Sequence, residues 1–344
     1  MRIIDVLQPD KKNSKWIVDN YKKDLLIVDN SFQRNYVWLE KHQISLMETI
    51  LLGYAIPEIY LWVIDTDAES GETKYSIVDG QQRIGALFNF IDGKYILRRA
   101  HLSQKDADYV GKSFSELNDD QKKLIWSYSF TIRQLPCEVK REEIVKMFLR
   151  LNSTDKSLNP QELRNAEFNG EFLETAQKIS KLDFWGKNKV FSVDNIRRMK
   201  DIEFISSLLI FLRNGIDSEI TQKTINKMYD LYNENYDEKE NDYNMVKNIL
   251  DIVQTVIDYN INSKSTIIKT THFYTLFTLT YLFASQSKTY SEEQLSKLSN
   301  FYIKYNEGYT DKLIEDYRNY SKDATNSKQS RIGRLKVLRD YMNI

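Results

Sequence analysis

The residues best suited to chemistry form the run Asp79-Gly80-Gln81-Gln82-Arg83, between an apolar strand-like segment and a helical pattern. Backbone N–H groups in the first turn of a helix lack internal partners and favour anions. Gly80 would let a ligand approach the main chain, Arg83 can bind phosphate through two N–H groups, and the glutamine amides add donors and acceptors. Asp79 can hold a metal ion or orient a water molecule. A second interpretation stays open, in which Asp79 only caps the helix.

A second run that could contact a ligand is FQRNYVW, which follows a strand-like segment. Gln33 and Arg34 supply an amide and a guanidinium group, and the rings of Tyr36 and Trp38 could stack on a base. The alternative is a loop whose aromatic side chains fill the core while Arg34 stays on the surface. This run by itself leaves both interpretations open.

A third group of polar residues lies in the runs MFLRLNS and LNPQELRNAEF. In the second of them, Asn159 is a candidate N-cap, Pro160 occupies the first helical position and Glu162 completes a capping box. That local structure does not account for the presence of Arg150, Asn152 and Arg164 together.

The elements around these runs predict an α+β protein. Strand-like segments occur at residues 25–28, 59–64, 75–78 and 130–139. The second and third are separated by a polar turn, which predicts a β-hairpin. Residues 98–128 are charged and helix-prone, as is typical of an insertion, and almost all periodicity after residue 141 is helical. We predict a small mixed α/β domain over residues 1–170 and a mainly α-helical domain over residues 171–344.

The composition is that of a folded protein, with 41% hydrophobic and 28% charged residues. No window approaches the ~18 consecutive apolar residues of a membrane span, and the first residues lack the apolar run of a signal peptide. The single cysteine, Cys137, suits a reducing compartment. We therefore expect a cytoplasmic protein without a membrane partner. The net charge of zero gives no global indication of nucleic-acid binding.

The last 25 residues are locally basic, with six basic and two acidic side chains. Arg331, Arg334 and Lys336 could form one face of a helix that neutralises DNA phosphates. The alternative is a solvated final helix whose cations favour its C-terminal end.

Taken in order, these runs resemble the N-terminal family of GmrSD-type modification-dependent restriction systems, which is related to ParB/sulfiredoxin-like domains. The similarity covers roughly residues 20–170 and rests on FQRNYVW, IPEIYLW, IVDGQQRIGAL, MFLRLNS and LNPQELRNAEF. DGQQR is specific when a strand precedes it and the FQR run lies upstream, as here.

The resemblance implies a ParB/sulfiredoxin-like nucleotide-handling domain in bacterial anti-phage defence. Asp79 and Arg83 would be catalytic, with Asp79 also the candidate ligand of a magnesium ion. The nucleoside triphosphate would contact further residues of the three runs, namely Gln33, Arg34, Gly80, Gln81, Gln82, Arg150 and Asn152. DNA is the expected partner, and a homo-oligomer is an open expectation.

Two departures bear on the mechanism. Family members that cut DNA usually have a second nuclease domain of the HNH kind, but this chain has only three scattered histidines and one cysteine. We therefore expect a separate nuclease chain, or action by binding alone. The phosphate-loop pattern is also absent, because Asp106 stands where its first glycine would be. The alternatives are a non-enzymatic DNA- or protein-binding module and a nuclease that uses the DGQQR run itself.

Overall fold

A computed structural model describes residues 2–29, 36–153 and 158–344, with side chains for all of these except residue 153. The chain divides into two compact units, Met1–Glu167 and Phe168–Ile344. The first contains a mixed sheet and helices, and the second is helical, so the α+β class is confirmed. Within the described ranges, no helix is long and apolar enough to cross a membrane.

The N-terminal unit is built on a five-stranded sheet. Its strands are β1 (Gln8–Asn13), β2 (Leu26–Ile27), β3 (Ile59–Thr66), β4 (Thr73–Asp79) and β5 (Ser129–Leu135). Their order in the sheet is β1-β5-β3-β4-β2. β3 pairs with β4 in the antiparallel sense, with Leu61 opposite Ile77, which confirms the predicted hairpin. β3 pairs with β5 in the parallel sense, with Tyr60 opposite Arg133.

Helices cover both faces of this sheet. They are α1 (Ile3–Val6), α2 (Ser14–Lys22), α3 (Glu40–Leu51), α4 (Gln81–Ile91), α5 (Asp119–Ser127), α6 (Arg141–Ser153) and α7 (Pro160–Glu167). Successive strand residues point to opposite faces. Ile77 accordingly packs into the core of α2 to α5, whereas Val78 packs into a second core with Phe148 of α6 and Ala166 of α7. β4 is thus buried on both sides where it approaches its end.

Residues 98–128, which the sequence predicts to be an insertion, contribute to the core of the N-terminal unit. Leu102, Tyr109, Leu117 and Ile125 are buried in the same core as α3 and α4. The carboxylate of Glu48 in α3 accepts hydrogen bonds from the backbone of Ser103, at 2.8 and 2.9 Å. The charged residues of this segment lie at its surface, and its apolar residues belong to the domain core.

The C-terminal unit contains eleven α-helices. They are α8 (Glu171–Ser180), α9 (Asp183–Asn188), α10 (Val193–Arg197), α11 (Lys200–Asn214), α12 (Gln222–Leu231), α13 (Lys239–Tyr259), α14 (Lys264–Ile267), α15 (Thr270–Ala284), α16 (Glu292–Glu307), α17 (Lys312–Asn319) and α18 (Lys328–Met342). α15 is buried on nearly every side, as expected of a helix that is apolar all round. It lies within a single apolar core to which most of the other helices contribute.

Candidate functional site

The run Asp79–Arg83 forms a sharp corner, here called the DGQQR corner, between β4 and α4. β4 ends at Asp79 and α4 begins at Gln81, with Gly80 between them at φ 106°. Side chains are strained at this φ, and a Cβ on Gly80 would lie 2.9 Å from Cγ1 of Ile59. Gly80 is therefore required by the backbone and by packing, a reason that the sequence alone did not give. Gly80 is the N-cap residue of α4, and it has no side chain that could cap the helix.

Asp79 and Arg83 bind each other across one turn. Nη2 of Arg83 donates to Oδ2 of Asp79 at 2.6 Å and to the backbone oxygen of Glu58 at 2.9 Å. Asp79 is thus the partner of Arg83, and the alternative in which its side chain caps α4 is wrong. The side chain of Arg83 is 14% exposed and that of Asp79 is 34% exposed, so the pair faces solvent only in part.

The guanidinium group of Arg83 keeps donors to spare. Among the described residues, Nε is buried without a hydrogen-bond partner, and Nη1 has no acceptor. A buried donor without a partner costs about 1–3 kcal/mol. Both nitrogens therefore have N–H groups that could donate to an added acceptor.

A second ion pair lies beside the first and was not predicted. The carboxylate of Glu58 accepts two hydrogen bonds from Arg133, at 3.0 and 2.9 Å, and one from the hydroxyl of Tyr60 at 3.3 Å. The bonds from Arg133 hold the pKa of Glu58 below its usual range. Since Glu58 also binds Arg83 through its backbone oxygen, the two pairs form one connected cluster.

The cluster contains two carboxylates, and each has a basic partner. In the described parts of the chain, no group of three or more His, Cys, Asp or Glu side chains could hold a metal ion. Asp79, the residue predicted as a metal ligand, therefore offers one carboxylate to an ion. Any ion there would need most of its ligands from another molecule.

Gln82 joins the two main sequence runs. It is only 8% exposed, and its side-chain oxygen accepts from the backbone N–H groups of Val37 and Trp38, both at 2.9 Å. The hydroxyl of Tyr36 donates to the backbone oxygen of Gln82 at 3.3 Å. A Cβ on Gly85 would lie 2.4 Å from the Tyr36 ring, which fixes how closely the two runs approach.

The predicted site residues differ in their positions and contacts in the structure. The end of the FQRNYVW run does lie against the DGQQR corner, whereas Gln33 and Arg34 fall outside the described residues. Gln81 is half-buried at the start of α4. Gln82 has a structural task, which the sequence analysis did not predict.

The third group of residues lies on α6 and α7. Arg150 is exposed, and the amide nitrogen of Asn152 donates to the backbone oxygen of Phe148 at 2.9 Å. The capping box before α7 is confirmed: Asn159 accepts from the backbone N–H of Glu162 at 3.0 Å, and Glu162 accepts from that of Asn159 at 2.6 Å. Arg150 and Asn152 remain predicted ligand contacts.

The predicted basic face near the C-terminus is not formed. Arg331 is 2% exposed and Arg334 is fully buried, and only Lys336 of the three is exposed. Arg334 donates to Thr275 and to the backbone oxygens of Tyr320 and Thr325. Because guanidinium groups inside the core cannot reach DNA, the interpretation of Arg331 and Arg334 as DNA contacts is wrong. Their spacing on α18 reflects burial instead.

A family comparison agrees with the motif order. Residues 15–169 match the family model described as the GmrSD restriction endonuclease, N-terminal domain. The matched segment contains the whole cluster around the DGQQR corner, and it confirms the resemblance seen in the sequence runs. Searches of the curated proteins and of the solved structures found no match. The match points to a component of a restriction or defence system.

Proposed function

Because residues 15–169 form a domain of the GmrSD N-terminal family, we propose that this chain binds and hydrolyses a nucleoside triphosphate. In this proposal it is the nucleotide-dependent control component of a bacterial anti-phage restriction system, acts on DNA and works in the cytoplasm. The observation that supports nucleotide binding most directly is the buried Nε of Arg83 near the start of α4, which has no hydrogen-bond partner in the described part of the chain.

The phosphates would occupy the space in front of α4. Backbone N–H groups at a helix start and a guanidinium group both favour phosphate oxygens. The spare donors of Arg83 would bind phosphate while its Nη2 holds Asp79 beside them. Asp79 can then orient the attacking water, while Arg83 stabilises charge on the phosphoryl group.

A magnesium ion fits this arrangement in a limited role. Magnesium in nucleotide sites keeps several waters, binds phosphate oxygens and takes only one or two protein carboxylates. Asp79 would be that carboxylate. When bound, the ion would neutralise phosphate charge.

DNA cleavage belongs, in this proposal, to a separate nuclease chain. Of the three histidines, His272 is buried in the C-terminal unit and its Nδ1 lies 3.1 Å from the hydroxyl of Tyr317. His42 lies on α3, and His101 lies in the segment between α4 and α5. Both belong to the N-terminal unit. The described histidines therefore do not form the clustered ligands that an HNH site needs.

A non-enzymatic binding module is the second candidate. It is favoured by the ion pair between Asp79 and Arg83, because two groups that satisfy each other can serve the fold alone. Thermal unfolding with magnesium and nucleotide distinguishes the two candidates, because a protein that binds nucleotide should be stabilised by it. A ligand at about 100 times its dissociation constant adds roughly 2.7 kcal/mol of stability.

The decisive experiment is phosphate release from ATP, GTP and CTP, with and without DNA. Wild type should release phosphate, and Arg83→Ala should lower the rate at least about 100-fold, as expected for loss of a charge-stabilising donor. Arg99→Ala is the matched control, since Arg99 is an exposed arginine of the same unit that pairs with Asp106. Folded wild-type protein that releases no phosphate from any of the three would refute the hydrolysis proposal.

A further inference from the structure

The C-terminal unit contains a cavity of about 480 Å³ at the start of two long helices. Lys200 is the first residue of α11 and Thr270 is the first residue of α15, and both line the cavity. Each helix has 15 residues, and neither has a side-chain cap. α11 lines the cavity along one side, with Lys200, Glu203 and Ser207. The first turn of α11 also contains the carboxylates of Asp201 and Glu203.

The wall of the cavity also contains a buried arginine. Arg331 donates to the backbone oxygens of Asn326, Ile216 and Ser218 and to the hydroxyl of Tyr274. These bonds use four of its five N–H groups, and the fifth, on Nη2, has no acceptor among the described residues.

The charge of Arg331 is not neutralised by any carboxylate within ion-pair distance in the described ranges, and the same holds for Arg334. The two guanidinium groups are close enough to lower the pKa of Arg334, after the larger effect of burial. Burying a charge without an ionic partner is expensive. An anion in the neighbouring cavity would supply the missing countercharge.

One lining residue opposes an anion. The carboxylate of Glu203 accepts from Lys200 at 2.6 Å and from Gln222 at 2.8 Å. Lys200 and Arg331 against Glu203 still leave a net charge of +1 on the described lining side chains. The apolar part of the wall includes the rings of Phe191, Phe204 and Tyr274.

We propose that this cavity binds the phosphate group of a small phosphorylated molecule, such as a nucleoside monophosphate. Cavities that hold small ligands measure about 300–1,000 Å³, so the volume suits one such molecule rather than a nucleic-acid strand. The site lies wholly within the C-terminal unit. It is therefore independent of the nucleotide site proposed at the DGQQR corner.

Two substitutions with opposite expected effects test the proposal. Lys200→Gln removes a cation from the wall and should weaken the binding of inorganic phosphate and of adenosine monophosphate by about tenfold. Glu203→Gln removes the opposing carboxylate and should strengthen it by a similar factor. Lys328→Gln is the control, because Lys328 starts α18, pairs with Asp217 and does not line the cavity.

Binding is measured by calorimetry at constant ionic strength on the full chain with Arg83→Ala, which weakens phosphate binding at the DGQQR corner. Adenosine should not bind, and a 5′-phosphorylated oligonucleotide should bind more weakly than adenosine monophosphate. Absence of saturable binding, or equal effects of the Lys200 and Glu203 substitutions, would overturn the proposal. So would tighter binding of the oligonucleotide. None of these results would bear on hydrolysis at the corner.

Discussion

Adjacent glutamines of the DGQQR corner occupy different environments. The side-chain oxygen of Gln82 is buried and accepts two backbone N–H groups, from Val37 and Trp38. Gln81 is half-buried at the first position of α4. Two identical residues of one motif therefore differ in role: Gln82 holds the backbone of Val37 and Trp38, whereas the side chain of Gln81 is partly exposed.

Replacement of Gln82 should reveal its structural task. Gln82→Leu leaves the N–H groups of Val37 and Trp38 without their acceptor and should lower the free energy of unfolding by about 2–4 kcal/mol. Gln82→Glu keeps an acceptor and should be milder. Urea unfolding measures both, with Gln81→Leu as the control. Equal destabilisation by the Gln81 and Gln82 leucine variants would contradict the assignment.

The sequence predicted one half of the charged cluster and missed the other. Asp79 and Arg83 are one helical turn apart, so their proximity follows from local structure. Glu58 and Arg133 are separated by 75 positions and meet because β3 and β5 are parallel neighbours. Neither the type nor the spacing of these two residues indicates that strand pairing.

At the scale of elements, the path of α4 depends on a residue with no side chain. Gly85 lies against the ring of Tyr36, where an added Cβ would be 2.4 Å from Cε2. The close approach of two elements at a glycine is set by the glycine itself. Gly85 therefore allows α4 to pack closely against the segment that contains Tyr36.

An alanine at position 85 should force the two elements apart. Gly85→Ala should lower the free energy of unfolding by about 1–3 kcal/mol through overpacking. The loss should shrink in a Tyr36→Leu background, because the ring that collides is then gone. Gly186→Ala is the control, since Gly186 is helical with open space around it, and it should be neutral or stabilising. An equal loss in both backgrounds, by thermal unfolding, would contradict this contact.

The strands show what a pattern can and cannot predict. β3 and β4 are apolar and separated by a polar turn, so their hairpin was predicted from residue types. β1 has the sequence QPDKKN and is mostly exposed at the edge of the sheet. A proline and lysines are tolerated at an edge, and they remove the alternation by which a strand is recognised. β1 is identified as a strand by its antiparallel pairing with β5 and not by its residue pattern.

At the scale of the whole molecule, two buried titratable groups of the C-terminal unit should change its stability in opposite directions with pH. Burial raises the pKa of Asp201 to about 6, against smaller effects of backbone N–H groups. Burial lowers the pKa of His272 to about 4, with lesser contributions from Arg334 and Lys269. Stabilisation by Asp201 is lost as pH rises from about 4 to 6, and stabilisation by His272 is lost as pH falls from about 6.5 to 4.

Single substitutions should separate these two dependences. Relative to wild type, Asp201→Asn should become less stable on acidification from pH 6 to 4, and His272→Gln should become more stable. Each difference should reach at most about 3 kcal/mol, since a pKa unit corresponds to roughly 1.4 kcal/mol. Urea unfolding followed by circular dichroism at pH 4, 5 and 6 measures them. Parallel pH profiles for both variants and wild type would contradict the burial of these groups.

The position of Cys137 has a practical consequence. It is the single cysteine of the chain and is exposed, just beyond the strand that bears Arg133. A thiol-reactive fluorophore would therefore attach to the native sequence at one defined place in the N-terminal unit. Fluorescence polarisation of such a conjugate can follow the binding of DNA, without any residue having been introduced or removed.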